Sequence, residues 1–333
     1  MKIFVIAEIG VNHNGNIQLA KKMIKIAKFC GADAVKFQSF IASNLVSNRA
    51  RLANYQKKNF HKDSMIELLK KYELSKKEQI SLFKYCKKIK IEFLSSAFDN
   101  ESLDFLTSKL NVKKIKIPSG ELNNVPLLID IAKANKTTFL STGMANLKEI
   151  ETAIKILTKN GLKKNKLTIL HCNSAYPTPI EDANLRSIVF LKKKLGLKIG
   201  YSDHTLGLES SVAAISLGAE VIEKHFTLNK KMKGPDHSTS LTPKEFKQMI
   251  LYIRNTEKGL GVYNKIITES EKKNINFVRK SIVAKINILK GEKFDASNLT
   301  TKRPGNGISP FKWKKVLGLK ALKNFKKDEL IVV

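Results

Sequence analysis

Arginine is scarce in this 333-residue sequence, although the chain is strongly basic. Lysine and arginine together number 61, only six of them arginine, and the formal net charge is +32 at pH 7. Specific recognition of nucleic-acid bases and phosphates relies on the planar arginine fork. Lysine is instead spread over every segment, with no nucleic-acid motif beside it. The composition therefore favours a solvated lysine-rich surface, with no nucleic-acid partner.

Cysteine is also rare, and long apolar runs are absent. Cys30, Cys86 and Cys172 are widely spaced and form no CxxC pair, which argues against a disulfide framework or a zinc ribbon and fits a reducing compartment. No run of about 18 apolar residues occurs, so we expect no membrane span. Glu8 interrupts the apolar stretch at the N-terminus, unlike a secretory signal, and we expect a cytoplasmic protein.

Short apolar runs of strand length alternate with helical patterns along the chain. The runs are FVIAEIG (4–10), AVKF (34–37), IEFLSS (91–96), KIKIPS (114–119), TTFLST (137–142), LTILHC (167–172), LKIGYS (197–202) and EVIEKHF (220–226). Apolar residues spaced by three and four, such as Leu147, Ile150 and Ile154, predict a helix between runs. Capping-box patterns predict helix starts at Ser75 with Glu78, Asn146 with Glu149, and Thr242 with Glu245.

The number of these units indicates the architecture. Eight strand and helix units within about 260 residues match a (β/α)8 TIM barrel of the α/β class. An open doubly wound sheet usually has fewer strands and a Gly-rich first turn, and no GxGxxG occurs here. After a polar stretch at 261–274, the pattern changes to the short β-like pieces SIVAKI, LTTKRP, KVLGLKAL and DELIVV. We expect a barrel over 1–265, a linker over 266–277 and a small mostly-β domain over 278–333.

Polar side chains mark the carboxyl ends of the predicted strands, where catalytic groups of such barrels lie. Cationic and hydroxyl groups occur at five successive ends: Lys36 with Gln38, Ser95 with Ser96, Lys116 with Ser119, Ser141 with Thr142, and Ser174 with Tyr176. Two lysines and several hydroxyl donors suit a phosphate plus a carboxylate, because charge-assisted hydrogen bonds are about twice as strong as neutral ones. Any one serine could equally cap a helix, but inward-facing lysines are rarely structural.

The seventh and eighth strands end in His204 and His225. Two imidazoles from adjacent strands could hold a divalent metal and leave positions for water and substrate. A lone histidine is more often a hydrogen-bonded core residue, but here several acidic residues stand near the same strand ends. These acidic residues are Glu8, Asp203, Glu223 and Asp236. We interpret His171 as structural. His13 and His61 lie in predicted loops and are weak candidates for functional residues.

The segments at these strand ends resemble the sialic acid (nonulosonic acid) synthase family. The matching strings are AEIGVNHNG, GADAVKFQ, KIPSGE, LSTGM, YPTP, SDHT, EKHFTL and GPDHS, followed by KRPGNGIS in a tail similar to the antifreeze-like (SAF, β-clip) domain. The resemblance covers essentially the whole chain. It implies a condensation in which carbon 3 of phosphoenolpyruvate attacks the aldehyde of an open-chain N-acyl amino sugar. Water then adds at carbon 2 and phosphate leaves, with Mn²⁺ or Mg²⁺ as the expected metal.

The resemblance also implies roles for individual residues. Phosphoenolpyruvate would be bound by Lys36, Ser96, Lys116, Ser119, Ser141 and Ser202, and the sugar would face Gln38, Glu121, Tyr176 and Asp236. His204 and His225 would hold the metal. Glu8 and Glu223 would flank it, and either could serve as the base on the attacking water or in opening the sugar ring. Arg303 would reach the N-acyl group from a neighbouring subunit's tail, which implies a domain-swapped homodimer.

Two departures from the family pattern bear on the acceptor sugar. Ser174, which we also expect to contact the substrate, stands where some N-acetylneuraminate synthases carry asparagine, and Arg279 stands where some have phenylalanine. With the strings FVRKS and TTKRPGNGIS, these features resemble the branch that makes legionaminic acid from 2,4-diacetamido-2,4,6-trideoxymannose. N-acetylmannosamine, which gives N-acetylneuraminate, is an equal alternative.

Two further classes of function stay open at this point. The first is another phosphoenolpyruvate-using or aldolase-type barrel enzyme, in which a strand-end lysine forms a Schiff base that borohydride would trap. The second is a non-enzymatic basic binding protein, whose binding to DNA would depend steeply on salt. Imidazoles at a barrel mouth favour catalysis over the second class, because a surface binder has no need of them there.

Overall fold

Eight parallel strands form a closed barrel in the computed structural model, which describes residues 2–47 and 65–333. The strands pair in chain order, and the first pairs with the eighth to close the barrel. They are β1 Phe4–Gly10, β2 Ala34–Ser39, β3 Glu92–Ala97, β4 Lys114–Ile117, β5 Thr137–Ser141, β6 Leu167–Cys172, β7 Lys198–Asp203 and β8 Val221–His225. Each overlaps one predicted run, so the predicted (β/α)8 barrel is confirmed.

Helices cover the outside of the barrel. Within residues 2–47 and 65–261 the α-helices are Ile17–Cys30, Ala42–Leu45, Met65–Tyr72, Lys76–Ile89, Asn100–Asp104, Val125–Ala134, Leu147–Lys159, Arg186–Leu195, Glu209–Ser216 and Pro243–Gly259. All three predicted capping boxes are confirmed, because the side chain of each N-cap residue accepts from the backbone of the glutamate three positions later. His61, for which a loop position was predicted, lies outside the described residues.

Two apolar layers stabilise the barrel. A large cluster fills the space between strands and helices, and a small one fills the lumen. The lumen cluster consists of Ile6, Ala34, Leu94, Phe139, Leu170 and Val221. Because side chains of a strand alternate between its two faces, the residue two positions further on also points into the lumen. Those next positions are Glu8, Lys36, Ser96, Ser141, Cys172 and Glu223, so polar chemistry lies directly above an apolar floor.

The chain divides into two compact units, Met1–Gly261 and Val262–Val333. The second unit contains an antiparallel pair, β9 Ser281–Ala284 and β10 Leu299–Lys302, around its own small apolar core. The helix Glu269–Val278 covers most of the predicted linker and begins with a capping box that joins Thr268 and Glu271. Among the helices of residues 2–47 and 65–333, none is long and apolar enough to cross a membrane.

One predicted β-like piece of the second unit is wrong at its start. The string KVLGLKAL begins within the helix Trp313–Val316, although Lys320 later forms an isolated bridge with Lys293. The reason lies just upstream, where Ser309 caps the short 3-10 helix Pro310–Lys312 and Pro310 supplies a helical φ. That turn runs directly into the helix, so local capping overrides the apolar pattern.

Candidate active site

A cavity of about 540 Å³ opens at the carboxyl end of the barrel. It is lined by residues from all eight strands and the segments that follow them, which is where barrels of this type carry their chemistry. Thirteen of the residues singled out in the sequence line it: Glu8, Lys36, Gln38, Ser96, Lys116, Ser119, Ser141, Ser174, Tyr176, Ser202, His204, Glu223 and His225. The fold therefore brings together groups that lie up to 217 positions apart.

Four charged side chains form a connected layer at the base of the cavity. Lys36 Nζ lies 2.9 Å from Glu8 Oε2 and 3.8 Å from Glu223 Oε2. Lys116 Nζ donates to Glu223 Oε1 at 2.7 Å, and Ser202 Oγ donates to the same oxygen at 2.9 Å. All four charged side chains are at most 5% exposed. Burial of this kind costs several kcal/mol per ion and is tolerated where the charges are paired.

The two carboxylates of this layer have opposite acid–base character. Burial raises the pKa of Glu8 to about 7, because the nearby Lys36 compensates the cost only in part. Burial would also raise the pKa of Glu223, but the charges of Lys116 and Lys36 outweigh it and lower that pKa to about 2. Glu223 is therefore ionised throughout the working pH range, whereas Glu8 can gain and lose a proton near neutrality.

The layer has a surplus of positive charge when Glu8 is protonated. Two ammonium groups, those of Lys36 and Lys116, then face the single carboxylate of Glu223. Burial lowers the pKa of Lys116, whereas for Lys36 the neighbouring carboxylates outweigh burial and raise the pKa. A buried cationic pair with one counter-charge attracts an anion, because Coulomb interactions are strong at low local dielectric. The base of the cavity is therefore suited to a small polyanion.

Two imidazoles and a phenol stand together on one wall of the cavity. The ring centroids of His204 and His225 are 5.5 Å apart, and Tyr176 lies 4.2 Å from the first and 5.7 Å from the second. His204 Nδ1 donates to the carbonyl of Asn173 at 2.5 Å, since a carbonyl oxygen can only accept. In the neutral ring this leaves Nε2 of His204 with a lone pair.

Several buried polar atoms that face the cavity have no hydrogen-bond partner within the protein. Among the buried polar atoms of residues 2–47 and 65–333, His225 Nδ1, Glu223 Oε2 and Ser141 Oγ have no hydrogen-bond partner. Burial, together with the charges of His204 and Lys36, lowers the pKa of His225 well below its usual range, so its ring is neutral at pH 7. Unsatisfied buried polar atoms are costly and mark positions where a ligand completes the bonding.

The two ring nitrogens described above, His204 Nε2 and His225 Nδ1, fit a divalent metal held by two imidazoles. Within the described ranges no three or more His, Cys, Asp or Glu side chains converge as a ready metal cluster. A metal at His204 and His225 would therefore take its remaining ligands from substrate and water, as open catalytic sites do. Asp236 lies beside His225, with Oδ2 3.9 Å from His225 Nδ1, and burial raises the pKa of Asp236 to about 6.

Hydroxyl groups gather around a glycine at the loops after β4, β5 and β6. Ser119 Oγ accepts from the backbone N–H of Gly143 at 3.0 Å. A β-carbon added at Gly143 would lie 2.2 Å from Ser174 Oγ and 2.9 Å from Ser119 Oγ. The glycine thus lets the loop after β5 approach the loops after β4 and β6 closely. Three serines, Ser119, Ser141 and Ser174, consequently line one side of the cavity.

A second glycine keeps Glu8 in place. Gly10 adopts a positive φ of 53°, and a β-carbon there would lie 3.0 Å from Glu8 Oε1 and 3.6 Å from a ring carbon of His225. Any side chain at this position would be strained and would press against the carboxyl group. The turn at the end of β1 therefore requires glycine for both its backbone and the space beside Glu8.

Two residues of the first unit with expected roles, Asp236 and Glu121, are not among the residues that line the cavity. Asp236 lies beside His225, as described above. Glu121, half-buried, accepts from Asn124 Nδ2 at 2.7 Å in the loop after β4. Arg303 belongs to the second unit, where it is exposed and its Nε donates to the carbonyl of Val278 at 2.9 Å. Glu121 and Arg303 thus each have a hydrogen-bond partner within their own unit.

Several lining residues were missed in the sequence. Cys172 lines the cavity, and its Sγ lies 3.7 Å from His204 Nδ1. Its position two residues after lumen-facing Leu170 was the signal that could have identified it. An apolar wall was also missed, because its members come from loops and a helix that follow β2 and β3. They are Phe40, Leu45, Met65, Leu69 and Phe98.

Fold and cavity together define a barrel enzyme with a strand-end anion site and a small C-terminal β domain. Residues 23–265 match the model described as NeuB family, and residues 279–332 match the SAF domain. The chain belongs to the NeuB family, and with its relatives it is an enzyme of the acid synthase type. The predicted SAF tail is confirmed.

Named relatives span nearly the full length of the chain. The N,N'-diacetyllegionaminic acid synthase of Campylobacter jejuni is 53% identical over 331 residues, which is 99% of each chain. The enzyme of the same name from Legionella pneumophila is 42% identical over 96% of this chain and 90% of its own. The crystal structure of N-acetylneuraminic acid (sialic acid) synthetase from Leptospira borgpetersenii matches with a TM-score of 0.73 and 35% identity over 83% of this chain and 90% of that one.

Proposed function

We propose that the chain condenses phosphoenolpyruvate with an open-chain N-acyl amino sugar and water, giving a nine-carbon nonulosonic acid and phosphate. The observation that carries the proposal is the juxtaposition, in one cavity, of the buried pair Lys36 and Lys116 with the imidazoles of His204 and His225. The lysines suit a phosphate and a carboxylate, and the imidazole wall suits a polarised aldehyde oxygen. We assign catalysis to residues 1–265, with a linker at 266–277 and the SAF domain at 278–333.

Phosphoenolpyruvate is assigned to the charged base of the cavity. Lys36 and Lys116 supply cations, and hydroxyl donors surround them. These hydroxyl groups belong to Ser96, Ser119, Ser141 and Ser202. Ser141 Oγ lacks a partner within the described protein and is free to donate to a phosphate oxygen. The amino sugar is assigned to Gln38, Ser174 and Tyr176, which line the cavity, and to Glu121 and Asp236, which do not line it.

The acceptor sugar that agrees best with the named relatives is 2,4-diacetamido-2,4,6-trideoxymannose, with N,N'-diacetyllegionaminate as the product. The relatives of 53% and 42% identity carry that product in their names, whereas N-acetylneuraminate-9-phosphate synthases of mouse and human are 36% identical. Ser174 in place of asparagine points the same way. We retain N-acetylmannosamine, which gives N-acetylneuraminate, as the second substrate to test.

We propose Mn²⁺ or Mg²⁺ at His204 and His225, where the unpaired Nδ1 of His225 supports the assignment. When bound, such an ion supplies Lewis-acid polarisation of the sugar aldehyde. We assign proton transfer to Glu8, whose carboxyl group titrates near neutral pH, and a fixed negative charge to Glu223, which orients Lys116. Glu8 would take a proton from the water that adds to carbon 2 and pass it to the sugar's aldehyde oxygen, which becomes a hydroxyl group as carbon 3 bonds to the aldehyde carbon. The bond between carbon 2 and the phosphate oxygen would then break, and phosphate would depart with the remaining hydroxyl proton, leaving a keto group at carbon 2.

We further propose a domain-swapped homodimer in which Arg303 contacts the N-acyl group in the partner's cavity. Its exposed guanidinium group and its place in KRPGNGIS support this assignment. We place the reaction in the cytoplasm, because all three cysteines are buried and unpaired, as a reducing compartment allows.

The decisive experiment is phosphate release from phosphoenolpyruvate by the full chain. Each of the two sugars is offered separately with Mn²⁺, and matched reactions contain a chelator or no sugar. We expect chelator-sensitive phosphate release with the diacetamido sugar, equal to the amount of sugar consumed, and slower release with N-acetylmannosamine. The reverse order would move the product to N-acetylneuraminate. No chelator-sensitive release with either sugar would contradict the proposal and favour the Schiff-base class of barrel enzyme.

A further inference from the structure

A second pair of buried charges lies directly behind the two histidines. Asp203 and Lys224 are Cα partners in the register between β7 and β8, and each immediately precedes one of the histidines. Because side chains alternate along a strand, His204 and His225 point into the lumen while Asp203 and Lys224 point outward. Lys224 Nζ lies 2.9 Å from Asp203 Oδ2, and the two side chains are 1% and 0% exposed. This pair is outside the cavity and touches no proposed substrate.

The bonds of the pair converge on the residue after His204. Asp203 Oδ1 accepts from both the backbone N–H and the hydroxyl group of Thr205, at 2.9 and 2.7 Å. Lys224 Nζ donates to the carbonyl of Thr205 at 2.6 Å. Ser211 Oγ, from the helix Glu209–Ser216, donates to Asp203 Oδ2 at 2.6 Å. His204 is therefore held on both sides, by Asp203 before it and Thr205 after it.

A contribution to the stability of the fold would be a weak reason for a buried ion pair at this position. Replacing a buried ion pair by apolar residues of similar volume is often neutral or stabilising, since desolvation consumes the Coulomb attraction. A hydrophobic contact would fill this space between strands and helix, but it would not fix the register of the two strand ends or the turn at Thr205. Directional bonds do fix them, and both strand ends carry an imidazole.

We propose that Asp203 and Lys224 are positioning residues that set the separation and orientation of the His204 and His225 rings. The inference rests on the proposed metal role of those rings. Neither residue touches the metal or the substrate, and both act through the backbone of β7 and β8. Loss of the pair should allow the two strand ends to shift while the barrel remains closed, because β7 and β8 also share two other paired positions.

The test uses the double variant Asp203→Asn with Lys224→Met, which removes both charges and leaves no buried ion unpaired. Its matched control is Glu92→Gln with Lys114→Met, which removes the ion pair between β3 and β4 near the amino end of the barrel, at 3.0 Å. Mn²⁺ affinity is measured by calorimetry on the full chain without substrate. We expect a dissociation constant raised about 10- to 100-fold in the first double variant, the effect typical of residues that orient metal ligands, and wild-type affinity in the control.

A second readout separates this inference from the metal assignment. A crystal structure of the Asp203→Asn, Lys224→Met variant is expected to show the two imidazole rings displaced from their 5.5 Å separation. Unchanged rings, or unchanged Mn²⁺ affinity in a folded variant, would overturn the positioning role. Wild-type protein that binds no Mn²⁺, together with displaced rings in the variant, would instead contradict the metal assignment and leave the positioning role supported.

Ser211→Ala keeps the inference testable if the double variant does not fold. It removes one hydrogen bond to Asp203 and buries no new charge. We expect a Mn²⁺ dissociation constant raised a few-fold, and rescue by Ser211→Thr, which restores the hydroxyl group. Wild-type affinity in Ser211→Ala would then overturn the proposal.

Discussion

The two ends of the barrel contain inter-strand ion pairs of different character. At the carboxyl end, Lys116 and Glu223 are 3% and 4% exposed, and one oxygen of Glu223 has no hydrogen-bond partner. Towards the amino end, Lys114 and Glu92 are 23% and 27% exposed. Lys114 and Lys116 lie on one strand with a single residue between them, so sequence context is almost the same for both. The difference shows that burial without full pairing, rather than the presence of charge, distinguishes a site from a stabilising contact.

The largest effect is expected from Lys116→Met, which removes a buried cation from the base of the cavity. Loss of a preorganised charged donor should lower kcat/KM about 10³-fold, because the phosphate and carboxylate lose a partner at low dielectric. The same substitution two residues earlier, Lys114→Met, is the matched control and should leave kcat/KM within about twofold, as expected for a partly exposed pair. Steady-state kinetics at saturating sugar measure both. Equal losses of kcat/KM in the two variants would contradict the proposed difference between the two ends of the barrel.

Glu8→Gln is expected to have the next largest effect, and its signature is a change in pH dependence. The raised pKa of Glu8, about 7, means that the carboxylate needed to accept a proton declines as pH falls through 7. Wild-type kcat/KM should therefore fall about tenfold per pH unit below that value and level off above it. Glu8→Gln should be about 10²-fold slower on the plateau and lack this acidic limb.

The control for this experiment is Glu92→Gln, at the amino end, which should retain the acidic limb. Glu223 cannot produce the limb, because its pKa of about 2 keeps it ionised over the range measured. An acidic limb that persists in Glu8→Gln would assign the titration to another group, with Asp236 and its pKa of about 6 as the next residue to replace.

The sequence was sufficient to locate the strands and most of the lumen. Strand runs such as FVIAEIG and LTILHC are apolar enough to be recognised, and the alternation along a strand places Glu8 above Ile6. The contrast between Glu8 and Glu223 could not be predicted. Both lie within buried strands, and it is the three-dimensional contact of Glu223 with Lys116, 107 positions away, that most clearly separates their pKa values.

The missed residues show the same limit at the rim of the cavity. Phe40 and Phe98 line it from loops, whose course has no periodic signature. The role proposed for the buried pair Asp203 and Lys224 could likewise not be predicted from the sequence, because the register between β7 and β8 is a property of the closed sheet. Motif strings identified most of the residues that line the cavity, whereas the residues proposed to position them could be found only from the fold.

The smallest effect on catalysis is expected from Asp33→Asn, at the amino end. Asp33 accepts from the backbone of Val5 at 3.0 Å and from Arg254 at 2.8 Å, so it joins the start of β1 to the last helix of the barrel. Asparagine keeps one acceptor but loses the charge, and we expect the free energy of unfolding to fall by about 1–2 kcal/mol, the usual range for a charged hydrogen bond that is partly shielded from water. The exposed pair of Asp130 and Lys133 supplies the control, since Asp130→Asn should change stability by less than about 0.5 kcal/mol. Thermal unfolding measures stability, and kcat/KM should stay within about twofold in both variants. A large catalytic loss in a folded Asp33→Asn enzyme would show that the amino end also shapes the cavity, and the contrast between the two ends would then be one of degree.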